Sequence, residues 1–260
     1  MNILEKICNN KIEEIKESKR RCSHSSLEKI IVDIPNRKFK DLIINSQLEK
    51  KNNIIGEIKK SSPSAGIILK EYSPEDIAAE YEKNRIGAIS ILTDNKFFNG
   101  SLDHISLVNL KTKLPIIRKD FIIDEYQILE SKVYKADAIL LILSILTDEE
   151  VKKFIKITTK YKLDCIIEAH NSEEINRAIK IGYPIIGINN RNLKNLNVNS
   201  ESTLELSKNI PKEFTIVAES GIKSNKDIKK YNNVGIYNFL IGESILKSNN
   251  MSEKIKELLN

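Results

Sequence analysis

The chain has 260 residues, 40% of them hydrophobic, with 42 Lys+Arg against 36 Asp+Glu for a formal charge of +6. That suffices for one large core, and 9 Gly and 6 Pro exclude a linker-like, collagenous or low-complexity chain. Six excess charges on a chain rich in Ile, Lys and Asn read mostly as composition; a polyanion or a small phosphorylated substrate would each suit them.

Ile3, Ile7, Ile12 and Ile15 recur among Glu and Lys at roughly helical spacing, which predicts an amphipathic helix over about the first 20 residues. No apolar signal-peptide core follows, and no stretch approaches the roughly 18 apolar residues of a membrane span, so neither export nor membrane insertion is expected. Cys8, Cys22 and Cys165 are odd in number and far apart, which fits neither a disulfide framework nor a CxxC metal site. A reducing cytoplasm is the expected compartment, and no metal is expected.

From Ile54 onward, apolar runs alternate with amphipathic segments. The runs are IIGEI (54–58), AISIL (88–92), PIIRKDF (115–121), ADAILLIL (136–143), LDCIIEA (163–169), PIIGIN (184–189), FTIVAES (214–220) and IYNFLIG (236–242). Each precedes a helical pattern, and Ser73-Pro74, Thr147 with Glu150, and Ser172 supply helix-start signals. Eight such units predict parallel strands with helices outside them, because parallel neighbours need a crossover. The expected fold is α/β, a single (β/α)8 TIM barrel over 51–260 with an N-terminal helical extension over 1–50, the whole chain forming one domain. An open doubly wound sheet would want a GxGxxG turn after an early strand, and none is present.

In a barrel of this kind the chemistry gathers at the C-terminal ends of the strands. The polar residues there are Glu57 and Lys59, Lys119, Glu168, Asn189 and Arg191, and Glu219 and Ser220. Strand alternation puts Glu57 with Lys59, and Asn189 with Arg191, on shared faces. Charges within otherwise apolar strands need partners or a function, since burying one unpaired costs several kcal/mol. AESGI and LIGES place Gly221 and Gly242 just before helical segments after the last two strands, where backbone N–H groups commonly cradle phosphate.

The motifs EIKKSSPS (57–64), FFNGS (97–101), RKDF (118–121), IEAHN (167–171), GINNRNL (187–193), AESGI (218–222) and LIGES (240–244) together resemble indole-3-glycerol-phosphate synthase. The likeness runs over nearly the whole chain, extension included. It implies a carboxy-lyase of tryptophan biosynthesis that converts 1-(2-carboxyphenylamino)-1-deoxyribulose 5-phosphate to indole-3-glycerol phosphate, carbon dioxide and water, with no cofactor. By the family pattern Lys119 resembles the general acid of ring closure and Glu168 the general base of dehydration. Lys59 would hold the anionic substrate, Glu57 would orient the lysines, and Asn189 and Ser220 would position substrate or catalytic groups. Gly221, Gly242 and the amide of Glu243 would cradle the phosphate, with Lys59, Ser62 and Arg191 completing the site and the Glu243 carboxylate turned away. Phe98 and Phe121 would line the anthranilate slot beneath a mobile flap over 61–73.

A Schiff-base aldolase remains a second reading of a strand-end lysine beside a phosphate site, to be distinguished by borohydride trapping. A non-catalytic nucleic-acid binder is a third, although no basic cluster is interleaved with aromatics. His24, His104 and His170 lack HxxxH spacing and are expected to be surface or capping residues; Cys165 is expected in the core. A monomer is expected, with association with other tryptophan-pathway enzymes left open.

Overall fold

The computed structural model of the protein describes residues 2–260. Helix α1 (Ile3–Arg21) opens on a capping box between Asn2 and Glu5. It buries Leu4, Ile7, Lys11 and Ile15, whereas Ile12 is 43% exposed, so the inward stripe runs through a lysine in place of the expected isoleucine. Helices α2 (His24–Ile30) and α3 (Phe39–Leu48) complete the extension.

Eight strands follow: β1 (Asn53–Ile58), β2 (Ala88–Leu92), β3 (Ile116–Lys119), β4 (Ala138–Ile142), β5 (Asp164–Ala169), β6 (Ile185–Asn189), β7 (Thr215–Glu219) and β8 (Asn238–Ile241). Each pairs in parallel with its sequence neighbours, and β1 pairs with β8 to close the barrel. Among the outer helices α4 (Pro74–Lys83), α5 (Asn95–Phe98), α6 (Asp103–Asn109), α7 (Glu125–Val133) and α8 (Asp148–Lys160), α4 is capped by Ser73 and α8 by the Thr147–Glu150 box, as expected. The cap of α9 (Ser172–Ile181) is Asn171, one residue before the expected Ser172.

Alternation along the strands sorts the core into two layers. Ile54, Ile89, Ile116, Ile139, Ile167 and Ile186 pack outward beneath the helices. Ile55, Ile117, Leu140, Ile166, Ile185, Val217 and Leu240 face inward with Phe39 and Ile43 of α3. The extension serves both ends of the barrel. Near the strand starts, Asn36 donates to the Asp137 carbonyl (2.7 Å), Lys40 N to Asp164 (2.9 Å) and Asn238 to the Ile43 carbonyl (3.0 Å). At the opposite end, Lys11 of α1 reaches Asp94 after β2 and Asp120 after β3. Among the described residues no helix is long and apolar enough to cross a membrane, and no group of three or more His, Cys, Asp or Glu is arranged to hold a metal ion.

Candidate active site

Two residues beyond the inner apolar layer, the same strand face turns polar. Ile55 is followed by Glu57, Ile117 by Lys119, Ile166 by Glu168 and Val217 by Glu219, and Asn189 ends β6 in the same phase. Alternation thus brings these side chains into one ring at the mouth, where they are largely withdrawn from water. The Lys119 ammonium lies 2.7 Å from Glu219 Oε2 and 3.6 Å from Glu168 Oε2. Asn189 donates to Glu168 Oε2 at 3.2 Å and accepts from the Ser220 hydroxyl at 2.8 Å, so β5, β6 and β7 are linked through one amide. Across the mouth Lys59 forms a short ion pair with Glu57.

Two glycines make room for this ring. A Cβ on Gly187 would stand 2.4 Å from Glu219 Oε1, and one on Gly242 would stand 2.7 Å from both Cβ and Oε2 of Glu57. Gly242 therefore admits the Glu57 side chain as well as bordering the anion end of the cavity.

Burial and charge act against each other here. Burial works to lower the Lys119 pKa, but Glu219, Glu168 and Glu57 outweigh it and hold the group above the ordinary lysine range. Burial would raise Glu168, yet Lys119 and His170 pull it below the usual carboxylate range. Glu57 is lowered likewise, by Lys59, Lys119 and Arg191 acting against burial. Glu219 goes the other way: burial and the neighbouring Glu168 push it up to about 7, with Lys119 opposing.

The cavity between these groups has an apolar side and a basic end. Phe98 and Phe121, 6.3 Å apart and tilted by 35°, line the apolar side with Leu140, Ile142, Leu193 and, from the extension, Leu4 and Ile7. At the other end Lys59, Arg191, Ser220, Gly221, Gly242 and Ser244 surround an open recess with Lys223, Lys247 and Lys254 on its rim. Ser220 and Gly221 both adopt positive φ, of 65° and 80°, which bends the chain tightly after β7. Ser62 borders the apolar side of the cavity. Arg191 donates to Ser64 Oγ (2.9 Å) and the Leu196 carbonyl (3.0 Å). Glu243 is paired with Lys247 at 2.7 Å, and Arg191 stands 3.9 Å away, so its carboxylate is compensated beside the recess. Within the expected flap, Ser61–Ser62 pair with Gly66–Ile67 as a short antiparallel hairpin, and Asn99 Nδ2 of the next loop donates to Ser61 Oγ at 2.9 Å.

Every residue given a site role from the sequence thus borders one of two recesses, which share Glu57, Lys59, Arg191 and Ser220. Four further residues take part. Glu219 stands among the strand-end polar residues without an expected role, although its phase with Val217 marks it as inward. Ile7 is expected only as one face of a helix, and Leu4 is not singled out by that pattern. His170, expected as a surface or capping residue, is half-buried with Nε2 3.1 Å from Glu168 Oε1 and Nδ1 3.1 Å from Glu174 Oε2. The available signal was Glu174 one helical turn later.

Residues 4–258 match the family model described as Indole-3-glycerol phosphate synthase. The protein of that name from Alkaliphilus metalliredigens (strain QYMF) is 42% identical over 257 residues, covering 98% of this chain and 97% of the relative. Its namesake from Caldanaerobacter subterraneus subsp. tengcongensis is 44% identical over 258 residues, covering 99% and 97%. Among solved structures, thiamine phosphate pyrophosphorylase from Pyrococcus furiosus superposes with a TM-score of 0.60 at 14% identity, covering 81% of this chain and 95% of that one, a likeness of fold alone.

Proposed function

The chain belongs to the indole-3-glycerol phosphate synthase family, and from that membership we infer how its residues carry the reaction. The protein is a carboxy-lyase of tryptophan biosynthesis: it closes the indole ring of 1-(2-carboxyphenylamino)-1-deoxyribulose 5-phosphate with loss of carbon dioxide and water. The observation that best supports the assignment of roles is the Lys119 ammonium held between Glu219 and Glu168 on the wall of a cavity that is apolar on one side and basic on the other.

The substrate has a matching polarity. Its anthranilate ring suits the slot of Phe98, Phe121, Leu4 and Ile7, which Ser62 borders in place of the phosphate site expected for it, and its phosphate suits the recess of Gly221, Gly242, the Glu243 amide, Lys59 and Arg191. Held at both ends, the ring carbon bearing the carboxylate is brought up to the ketone. As that carbon attacks, negative charge grows on the ketone oxygen and Lys119 supplies the proton. A lysine with a raised pKa still suffices, because an alkoxide is far more basic than an amine. Lys59 balances the carboxylate and phosphate charges, and Glu57 fixes its ammonium. Loss of carbon dioxide restores the aromatic ring. Dehydration then needs a base to remove the proton next to nitrogen and an acid to protonate the departing hydroxyl so that it leaves as water; Glu168 takes the first role while ionised and the Lys59 ammonium the second. Asn189, bridging Glu168 and Ser220, keeps the base aimed.

The same reading has residues 1–50 and 51–260 working as one catalytic unit, since α1 supplies part of the apolar slot. It has the protein acting as a cytoplasmic monomer, where its three free cysteines stay reduced. The experiment is the rise of indole fluorescence when purified protein meets the carboxyphenylamino-deoxyribulose phosphate. Lys119→Ala and Glu168→Gln should each lower turnover by roughly 10² to 10⁴ while the fold is retained. Wild-type turnover in either variant removes that residue from the mechanism.

A further inference from the structure

His170 lies two residues past Glu168 and is not among the residues lining the cavity, yet its ring is wedged between two carboxylates. Nδ1 hydrogen-bonds Glu174 Oε2 at 3.1 Å, and Nε2 lies 3.1 Å from Glu168 Oε1 as an ion-pair contact outside hydrogen-bond geometry. Glu174 is itself fixed: it accepts from the His170 amide (2.9 Å), the Ser144 hydroxyl (2.8 Å) and Asn171 Nδ2 (3.1 Å). Capping α9 requires only that Asn171 accept from the Glu174 amide, which it does. The additional contacts hold the imidazole against Glu168.

The groups facing Glu168 explain what such a device accomplishes. They are Lys119 from β3, Asn189 from β6, Glu219 from β7 and His170, behind which stand Glu174 of α9 and Ser144 after β4. Lys119 is nearer to Glu219, at 2.7 Å, than to Glu168, at 3.6 Å. By that cation alone Glu219 would be the ionised carboxylate and Glu168 the one to hold a proton. His170 supplies Glu168 with a second cation that Glu219 lacks, and so reverses the order.

We propose that His170 is a positioning residue that keeps Glu168 the anionic member of the Glu168–Glu219 pair and thereby available to take the proton removed in dehydration. This rests on the assignment of Glu168 as that base. Burial and the neighbouring Glu168 raise Glu219, with Lys119 opposing, whereas Lys119 and His170 lower Glu168 against burial, so a proton taken up by the pair falls to Glu219. Burial opposes the charge on His170, but Glu168 and Glu174 outweigh it and raise its pKa to about 10, so the imidazolium persists near neutrality.

The test measures kcat and KM against pH for the wild type, His170→Gln, Glu174→Gln and Glu168→Gln, each checked for folding by circular dichroism. Above about pH 8 both carboxylates are ionised without help, and His170→Gln should turn over within about twofold of the wild type. Below about pH 7 the proton taken up by the pair shifts onto Glu168, and the loss in kcat should grow to about tenfold near pH 6, equivalent to roughly one unit of lost discrimination. KM should change little, because His170 does not border the cavity. Glu174→Gln should show the same pH pattern with a smaller loss, and it carries the test if His170→Gln does not fold. A loss of equal size at every pH, or no loss at any pH, overturns the proposal. Wild-type turnover in Glu168→Gln removes the base assignment beneath it, whereas an impaired Glu168→Gln beside a pH-independent His170→Gln removes only the role given to His170.

Discussion

Consecutive residues at the end of β3 enter two different ionic clusters. Lys119 faces the cavity among Glu57, Glu168 and Glu219, while Arg118 and Asp120 join Lys11, Asp94 and Glu130 in a second, buried cluster that Asp120 closes at the cavity edge. In the second cluster every charge meets an opposite one within 3.4 Å, and Thr93, Ser131 and the Gln127 carbonyl take up further hydrogen bonds. At the mouth the matching is less complete. Glu219 Oε1 and Asp94 Oδ2 are both buried outside hydrogen-bond geometry, but Asp94 Oδ2 lies 3.0 Å from the Lys11 ammonium, whereas the Lys119 ammonium meets Glu219 only at Oε2 and is shared unequally with Glu168. The same residue types therefore do different things: complete pairing fixes the chain, and incomplete pairing beside a cavity leaves groups able to exchange protons.

The largest separation between the clusters should appear on deleting their lysines. Lys11→Met leaves Asp94 and Asp120 buried without their common cation, and it should cost about 3 to 5 kcal/mol of stability. At roughly 2 to 4 °C per kcal/mol for a chain of this size, the thermal midpoint should fall by about 6 to 20 °C. Lys119→Met should instead abolish most turnover at a smaller cost in stability, because Glu219 readily takes up a proton in its place. Equal losses of midpoint in the two variants would erase the distinction.

The barrel was legible because its signals are local. Strand runs, helix periodicity and the Thr147–Glu150 box all lie within a few residues, and inner-face alternation carries Glu57, Lys119, Glu168 and Asn189 to the mouth once the strands are known. What was missed depends on partners distant in sequence. Lys11 is inward only because Asp94 and Asp120 come to meet it, so the helical pattern favoured Ile12. His170 is the exception, with both partners, Glu168 and Glu174, within four residues, but whether its ring meets Glu168 depends on how the chain leaves β5. Asn171 and Ser172 are both good N-caps, and the sequence offers nothing to choose between them.

A substitution at the mouth that touches no charge should have an intermediate effect. In Gly242→Ala the new Cβ would meet Glu57 at 2.7 Å, and the carboxylate would have to swing away from its pairing with Lys59. Overpacking of this kind typically costs about 1 to 3 kcal/mol. KM should rise and kcat fall together in steady-state assays. A variant with raised KM and unchanged kcat would confine Gly242 to the phosphate recess and separate it from Glu57.

The smallest effect expected concerns acid stability, and it belongs to the cluster around Lys11 and Arg118. Asp120 is fully buried, and although burial would raise its pKa, Lys11 and Arg118 outweigh that and depress it below the ordinary aspartate value. A carboxylate depressed in the folded state binds protons more readily when unfolded, so its contribution is present above the unfolded pKa of about 3.9 and is lost as pH falls through the folded value. Wild-type stability should therefore decline below about pH 4, partly on account of this residue. Asp120→Asn removes the titration: it should be less stable than the wild type at pH 7, and its denaturant midpoint should fall less steeply between about pH 4 and pH 2. Parallel midpoint curves for the two proteins over that window would show that the acid-labile contribution lies elsewhere, with Glu57 at the mouth, also depressed, the next group to substitute.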